Sequence, residues 1–189
     1  MGKIIITENM SLDGVVQDPL GEEGLGGGAW GQFRGHDREE WAKILTAEAH
    51  DAAALLLGRR SDAWFAARWL SRTGEWADRL NSMPKYVVSA TLQAPAWSNS
   101  TILRGDVATA AARLKQEVDG DIVVYASTGV ARALLDHDLA DELRLIVYPV
   151  VAGAGQRLFG ETGGSKPLRL VRAQGIGENL ALLAYQPLT

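Results

Sequence analysis

Cysteine is absent from all 189 residues, which excludes disulfides, thiolate metal sites and a cysteine nucleophile and is compatible with a reducing cytoplasm. Basic excess is absent too. Nineteen Lys and Arg against 23 Asp and Glu leave a net charge of −4, so nucleic acid is not an expected partner. There is no long apolar run: the N-terminal Ile4-Ile5-Ile6 is too short for a signal peptide or a membrane span, so no membrane partner and a cytoplasmic location are expected. The three histidines, His36, His50 and His137, fall into no H-E-x-x-H or similar spacing, and no metal is expected. Walker A is missing. The nearest approach to G-x-G-x-x-G is Gly153 to Leu158, which lacks the third glycine and precedes no long helix, so an ordinary Rossmann domain is disfavoured.

What remains is a soluble α/β composition with 47% hydrophobic residues, enough for one sizeable core, and a single domain over residues 1–189 is expected. Lys3 to Glu8 reads as a strand, Arg38 to Ala54 as an amphipathic helix and Leu55 to Gly58 as a short buried strand, the pattern of a β-α-β unit. Broken helix follows from Arg59 to Ser82, then strands at Lys85 to Ser89 and near Thr101 to Leu103, a helix from Val107 to Val118, and a strand and helix over Asp121 to Asp138. Leu143 to Tyr148, Leu168 to Val171 and Leu180 to Tyr185 are strand-like, with no helical pattern between the last two. The fold class is therefore α/β, a mostly parallel central sheet with a C-terminal antiparallel hairpin.

One segment fits no element. From Gly14 to Gly35 the chain reads "GVVQDPLGEEGLGGGAWGQFRG", too glycine-rich for regular structure, and it is expected to be a long loop, either a floppy insertion or a lid over a bound ligand. At three other places a strand ends in small, hydroxyl or cationic residues: Gly58-Arg59-Arg60-Ser61, Ser89-Ala90-Thr91, and Ala126-Ser127-Thr128-Gly129 after Ile122 to Tyr125. The last junction leads directly into a helical pattern, and uncapped helix N–H groups with the positive dipole end make an anion site. Ser127 or Thr128 could equally be an N-cap and Gly129 a packing contact, and an arginine pair after a strand is often only a solvated turn. Three polar strand ends together favour a shared nucleotide site at the carboxyl edge of the sheet.

The stretches "ITENMSLDG", "LLLGRRSDAWF", "KYVVSAT" and "DIVVYASTGVARALLDHDLADELRLIVYPVVAGAGQRLF" resemble the dihydrofolate-reductase-like superfamily. The nearest branch is the C-terminal reductase domain of the bifunctional riboflavin-biosynthesis deaminase-reductase and its stand-alone relatives. The resemblance implies a dihydrofolate-reductase-like three-layer fold and NADPH as cofactor. It puts Arg59, with Gly58, at the adenosine 2′-phosphate, Ser61 near the pyrophosphate, and Ser89 beside the adenine and phosphates. Ala126, Ser127, Thr128 and Gly129 then border the pyrophosphate and nicotinamide. Relatives carry more glycines at this junction, and pyrimidine reductases read E-G-G where this chain has Tyr125-Ala126-Ser127, which places Tyr125 on the substrate side. The deaminase's zinc signature needs cysteines that are absent here.

Hydride transfer asks the protein mainly to hold the nicotinamide against an acceptor carbon. Asp13 in Ser11-Leu12-Asp13-Gly14 is the acid nearest the end of the first strand; the resemblance implies a place for it at the cofactor and substrate mouth, which makes it the candidate catalytic and substrate-binding group, whereas Asp-Gly alone reads as a turn. Asp37, Glu39, Glu40 and Glu48 are further acids near the first helix. Trp30, with Trp64 and Trp69, could stack on a flat substrate ring or belong to the core. The expected activity is NADPH-dependent reduction of a small heterocyclic or imine-like molecule. A non-catalytic nucleotide-binding or interaction protein on the same fold, and an α/β enzyme using no nicotinamide, are the alternatives. A homodimer is expected from the apolar strands Leu143 to Val151 and Leu180 to Tyr185.

Overall fold

The computed structural model describes residues 1–18, 30–160 and 165–188. Half of the long loop expected from Gly14 to Gly35, residues 19–29, therefore lies outside the described residues. The strands are β1 (Lys3–Ser11), β2 (Ala52–Gly58), β3 (Lys85–Val88), β4 (Ser100–Leu103), β5 (Asp121–Tyr125), β6 (Glu142–Tyr148), β7 (Leu168–Ile176) and β8 (Leu180–Pro187). The helices are α1 (His36–Asp51), α2 (Arg59–Trp69), α3 (Glu75–Ser82), α4 (Val107–Glu117) and α5 (Thr128–Asp136). Strand order is β4-β3-β2-β5-β1-β6-β8-β7, so the expected mostly parallel sheet with a C-terminal antiparallel hairpin is what the chain forms. The chain divides into two compact units, Met1–Ile6 with Leu45–Asp141 and Thr7–Ile44 with Glu142–Thr189. No helix among the described residues is long and apolar enough to cross a membrane.

In the first unit β2 lies between β3 and β5 and runs parallel to both, and β3 is parallel to β4. Leu55, Leu56, Leu57, Ile122, Val123 and Val124 are all inaccessible, as strands covered on both faces require. Helix α1 ends and β2 begins three residues earlier than the apolar pattern suggests. Ala52 and Ala54 pair with Asp121 and Ile122 of β5, and this pairing overrides the helix propensity of alanine.

Below α2, Lys85 is buried completely. Its Nζ donates to the carbonyls of Met83 (2.7 Å) and Asn81 (3.2 Å) and lies 4.7 Å from the Trp97 ring centroid. Burial pulls its pKa down to about 8, against the opposing pull of Asp62. Asp62, itself buried, accepts from the backbone N–H groups of Ala96 (2.7 Å) and Trp97 (3.3 Å). Trp97 stacks on Phe65 at 5.3 Å with a 7° interplanar angle. One turn of α2 is thereby pinned from below by a carboxylate and a ring.

In the second unit β8 runs antiparallel to β6 on one side and β7 on the other. The apolar β6 and β8 that suggested a homodimer satisfy each other within this sheet; the outer strand is β7, where Leu170 and Val171 are exposed. The turn between β7 and β8 has Gly177 at φ +60°, and a Cβ there would lie 2.6 Å from the Asp37 Cα, so only glycine fits. Asp37 accepts from the N–H groups of Glu178 (2.6 Å) and Asn179 (3.0 Å) and from Asn179 Nδ2 (2.8 Å).

Glu8 is 3% exposed, and its Oε1 has no hydrogen-bond partner among the described residues. Strand alternation puts it on the face opposite Asn9, whose Oδ1 accepts from Trp41 Nε1 at 2.9 Å. Desolvation raises its pKa from 4.5 to about 8. The folded chain therefore keeps a proton that the unfolded chain gives up near pH 4.5, and stability falls as pH rises from about 4.5 to about 8. Lys85 acts with the opposite sign in a higher window, since the folded state releases its proton first. Glu8→Gln should flatten the decline between pH 5 and 7.5 and exceed wild type at pH 7.5 by at least about 1 kcal/mol in urea denaturation. A wild-type curve already flat over that range would show that Glu8 is ionised when folded.

Candidate nucleotide site

Parallel pairing sets up the site. Leu55 of β2 is level with Val123 of β5, so three residues further along both strands Gly58 and Ala126 end side by side, and α2 and α5 start from adjacent points. The chain places Gly58, Arg59, Ser61, Ser89, Tyr125, Ala126, Ser127, Thr128 and Gly129 in the first unit, and Asp13 and Trp30 in the second.

A chain of hydrogen bonds joins the two junctions. Gly58 N–H donates to Ser127 Oγ (3.1 Å), Ser127 Oγ donates to Ser61 Oγ (2.8 Å), and Ser61 Oγ donates to the Ala126 carbonyl (2.9 Å). Both serines are buried. Ser127 occupies the N-cap position of α5 yet makes no side-chain cap bond, and Gly58 at the N-cap of α2 has none to offer. Both helices therefore begin without a side-chain cap, whereas Asp106 caps α4 by accepting from Thr109 N–H at 2.8 Å. The N-cap reading of Ser127 holds for its position and not for its hydroxyl.

Ala126 has φ +47°, a left-handed conformation that costs a residue with a Cβ about 1 kcal/mol or more. The backbone at this junction thus takes a glycine-like geometry under alanine. Gly129 is exposed, and nothing lies within 4 Å of where its Cβ would be. Thr128 and Gly129 open α5, so their N–H groups have no partner within the helix. Arg59 and Arg60 are both exposed in the first turn of α2, and their side chains form no hydrogen bond or ion pair among the described residues.

Ser89 stands apart from this chain. Its Oγ accepts from the N–H groups of Thr91 (3.3 Å) and Leu92 (3.1 Å), and Arg104 braces the same turn through the carbonyls of Ser89, Ala90 and Leu92. Tyr125 points into the core: it is 4% exposed with its ring 6.5 Å from Phe65. Trp30 is also buried, 4.9 Å from the ring of Tyr148. Phe33 adds an edge contact to Tyr148 at 5.7 Å.

Asp13 is an anchor. Its Oδ1 accepts from Ser11 Oγ (2.7 Å) and Ala152 N–H (2.9 Å), its Oδ2 from Gly153 N–H (2.9 Å), and Arg157 lies 3.6 Å away. The Ser11 hydrogen bond first, then the Ala152 amide, lower its pKa to about 2, so at neutral pH it is a carboxylate with no proton to donate. Asp37 is lowered likewise, chiefly by Asn179.

These features define an α/β protein of dihydrofolate-reductase-like fold, with two uncapped helix starts at the ends of parallel strands. The chain belongs to the RibD C-terminal domain family, whose model matches residues 2–182. It is 26% identical over 106 residues to uncharacterized protein YyaP of Bacillus subtilis (strain 168), a match covering 56% of each chain and so little more than half of that relative. Among solved structures it resembles a Shewanella sp. PV-4 protein assigned to riboflavin biosynthesis, with TM-score 0.76, 18% identity and 99% of both chains covered. It also resembles Enterococcus faecalis dihydrofolate reductase complexed with NADP(H), with TM-score 0.63, 13% identity, and 99% of this chain and 97% of that one covered. The fold expected from the sequence resemblance is thus the fold found.

Sequence reading missed the Ser61–Ser127 bond and the strain at Ala126. The bond joins residues 66 apart, and the only trace of it in the sequence is a serine near each of two glycine-marked strand ends. Ala126→Gly should stabilise the protein by about 0.5–1 kcal/mol, because glycine adopts φ +47° without a Cβ penalty. Urea denaturation of the two proteins measures it; a loss of stability would mean that the restriction alanine imposes on the unfolded chain outweighs the strain.

Proposed function

We propose that this protein is an NADPH-dependent reductase that transfers hydride to a small heterocyclic or imine-like substrate. One observation carries the reading: two uncapped helix starts stand side by side at the ends of parallel strands, and on one of them is an exposed arginine whose side chain has no partner among the described residues. Backbone N–H groups at Thr128 and Gly129, and at the start of α2, are suited to a diphosphate, and the open space at Gly129 lets it approach the backbone. Arg59 is suited to a 2′-phosphate, which a guanidinium binds through paired charged hydrogen bonds. NADPH, when bound, supplies the hydride, and the chain's task is to hold it in place.

Family membership and the likeness to an NADP(H)-complexed dihydrofolate reductase support the same assignment. Because Asp13 and Asp37 are fixed as carboxylates by backbone and side-chain donors, their part in this reading is to hold loops and not to donate protons. The homodimer reading moves to the exposed outer strand β7, with its Leu170 and Val171.

Arg59→Ala should weaken NADPH binding by roughly 10- to 150-fold, or about 1.5–3 kcal/mol, and leave NADH nearly unchanged, as followed by tryptophan fluorescence. Arg60→Ala, equally exposed, is the control and should leave both cofactors within about 3-fold. Equal losses for NADPH and NADH would assign Arg59 to the diphosphate, and no loss for either would remove it from the site.

A further inference from the structure

Building on the NADPH reading, we infer that Ser61 and Ser127 are not ligands of the cofactor but a latch. Through Gly58 and Ala126 the pair locks the starts of α2 and α5 into one platform, leaving the diphosphate to the backbone.

Proton counting carries this. A phosphate oxygen accepts hydrogen bonds and needs donors. Each serine hydroxyl has one hydrogen, and both are used inside the protein: Ser127 Oγ–H on Ser61 Oγ and Ser61 Oγ–H on the Ala126 carbonyl. The acceptor side of Ser127 is engaged as well, by Gly58 N–H. The four groups thus form an unbroken relay from Gly58 N–H to the Ala126 carbonyl, in which each bond polarises the next. With Ser61 8% and Ser127 5% exposed, turning either hydroxyl outward would leave a buried partner unsatisfied.

The relay closes on the two residues that most need holding. Gly58 is the last residue of β2 and the N-cap of α2; its N–H would otherwise be a loose end where the strand ladder stops. Ala126 sits at φ +47°, and its carbonyl is fixed by Ser61 from another element. Strain of this kind persists only where the surroundings over-determine it. Asp62, next in sequence to Ser61, fastens the same turn of α2 to the Ala96 and Trp97 amides, so the latch spans a helix start held on one side and a strained turn on the other.

The test is a double-substitution cycle on the full chain with Ser61→Ala, Ser127→Ala and both together. NADPH affinity is read by tryptophan fluorescence, and adenosine 2′-monophosphate, which has the 2′-phosphate but no diphosphate, is read by competition. If the serines are a latch, each single change weakens NADPH by roughly 10-fold. The double change adds less than about 3-fold more, because the first cut already opens the relay. Adenosine 2′-monophosphate stays within about 2-fold throughout, and Ser61→Thr, which keeps the hydroxyl, restores NADPH affinity. Multiplicative losses in the double variant would make the serines independent ligands and overturn the inference. Equal weakening of adenosine 2′-monophosphate would reduce the pair to general scaffold and overturn it too. Wild type binding neither nucleotide would instead sink the cofactor reading. The latch would then stand or fall by whether the two alanine changes are non-additive or additive in urea unfolding.

Discussion

The parallel register of β2 against β5 is the constraint on which the first unit depends. With Leu55 level with Val123, two strands from distant parts of the chain stop at the same height, and each passes at once into a helix. Parallel pairing also demands that both strand faces be covered, which accounts for the unbroken Leu55-Leu56-Leu57 and Ile122-Val123-Val124 cores. Everything polar is consequently pushed to the strand ends. A slip of one residue would turn Ser127 away from Gly58 N–H and bury the wrong set of side chains.

Much of this was legible from residues alone, because strands, helices and polar strand ends are local signals. "GRRS" after an apolar triplet and "ASTG" after another mark the two junctions, and the structure makes them neighbours. The pairing of Ser61 with Ser127 was not legible, since it depends on register between segments 66 residues apart. Nor could Ala126 be seen to be left-handed: φ +47° is uncommon for any residue with a Cβ, and nothing local in the sequence marks it. The contacts of Asp13 were hidden for a related reason. An acid in a turn at a strand end looks available, yet the amides that bind it belong to Ala152 and Gly153, about 140 residues downstream.

Two buried ionisable side chains show how differently the same cost of desolvation can be met. Lys85 keeps two carbonyls and a tryptophan face around its ammonium group, and its pKa, lowered by burial against the opposing pull of Asp62, comes to about 8, so it remains a cation at neutral pH. Glu8 has an oxygen with no hydrogen-bond partner among the described residues and instead holds its proton to about the same pH. One group is solvated by the fold and the other is neutralised by it.

The same accounting bears on chemistry. Carboxylates that accept several backbone amides, as Asp13 and Asp37 do, are held below the ordinary carboxylate range and carry no proton to give at neutral pH. Apart from Ser11 at the end of β1, their hydrogen-bond donors belong to loops and turns, so their charge is used to fix backbone. The platform at α2 and α5 inverts this arrangement: there the backbone N–H groups lack side-chain caps, and the hydroxyls that could have capped them are bonded to one another. In the first unit too, Asp62 and Asp106 fill backbone amides, at Ala96, Trp97 and Thr109, whereas the paired starts of α2 and α5 are left without a side-chain cap. An anion drawn to that edge therefore meets preset dipoles, and no internal carboxylate has to be displaced before it binds.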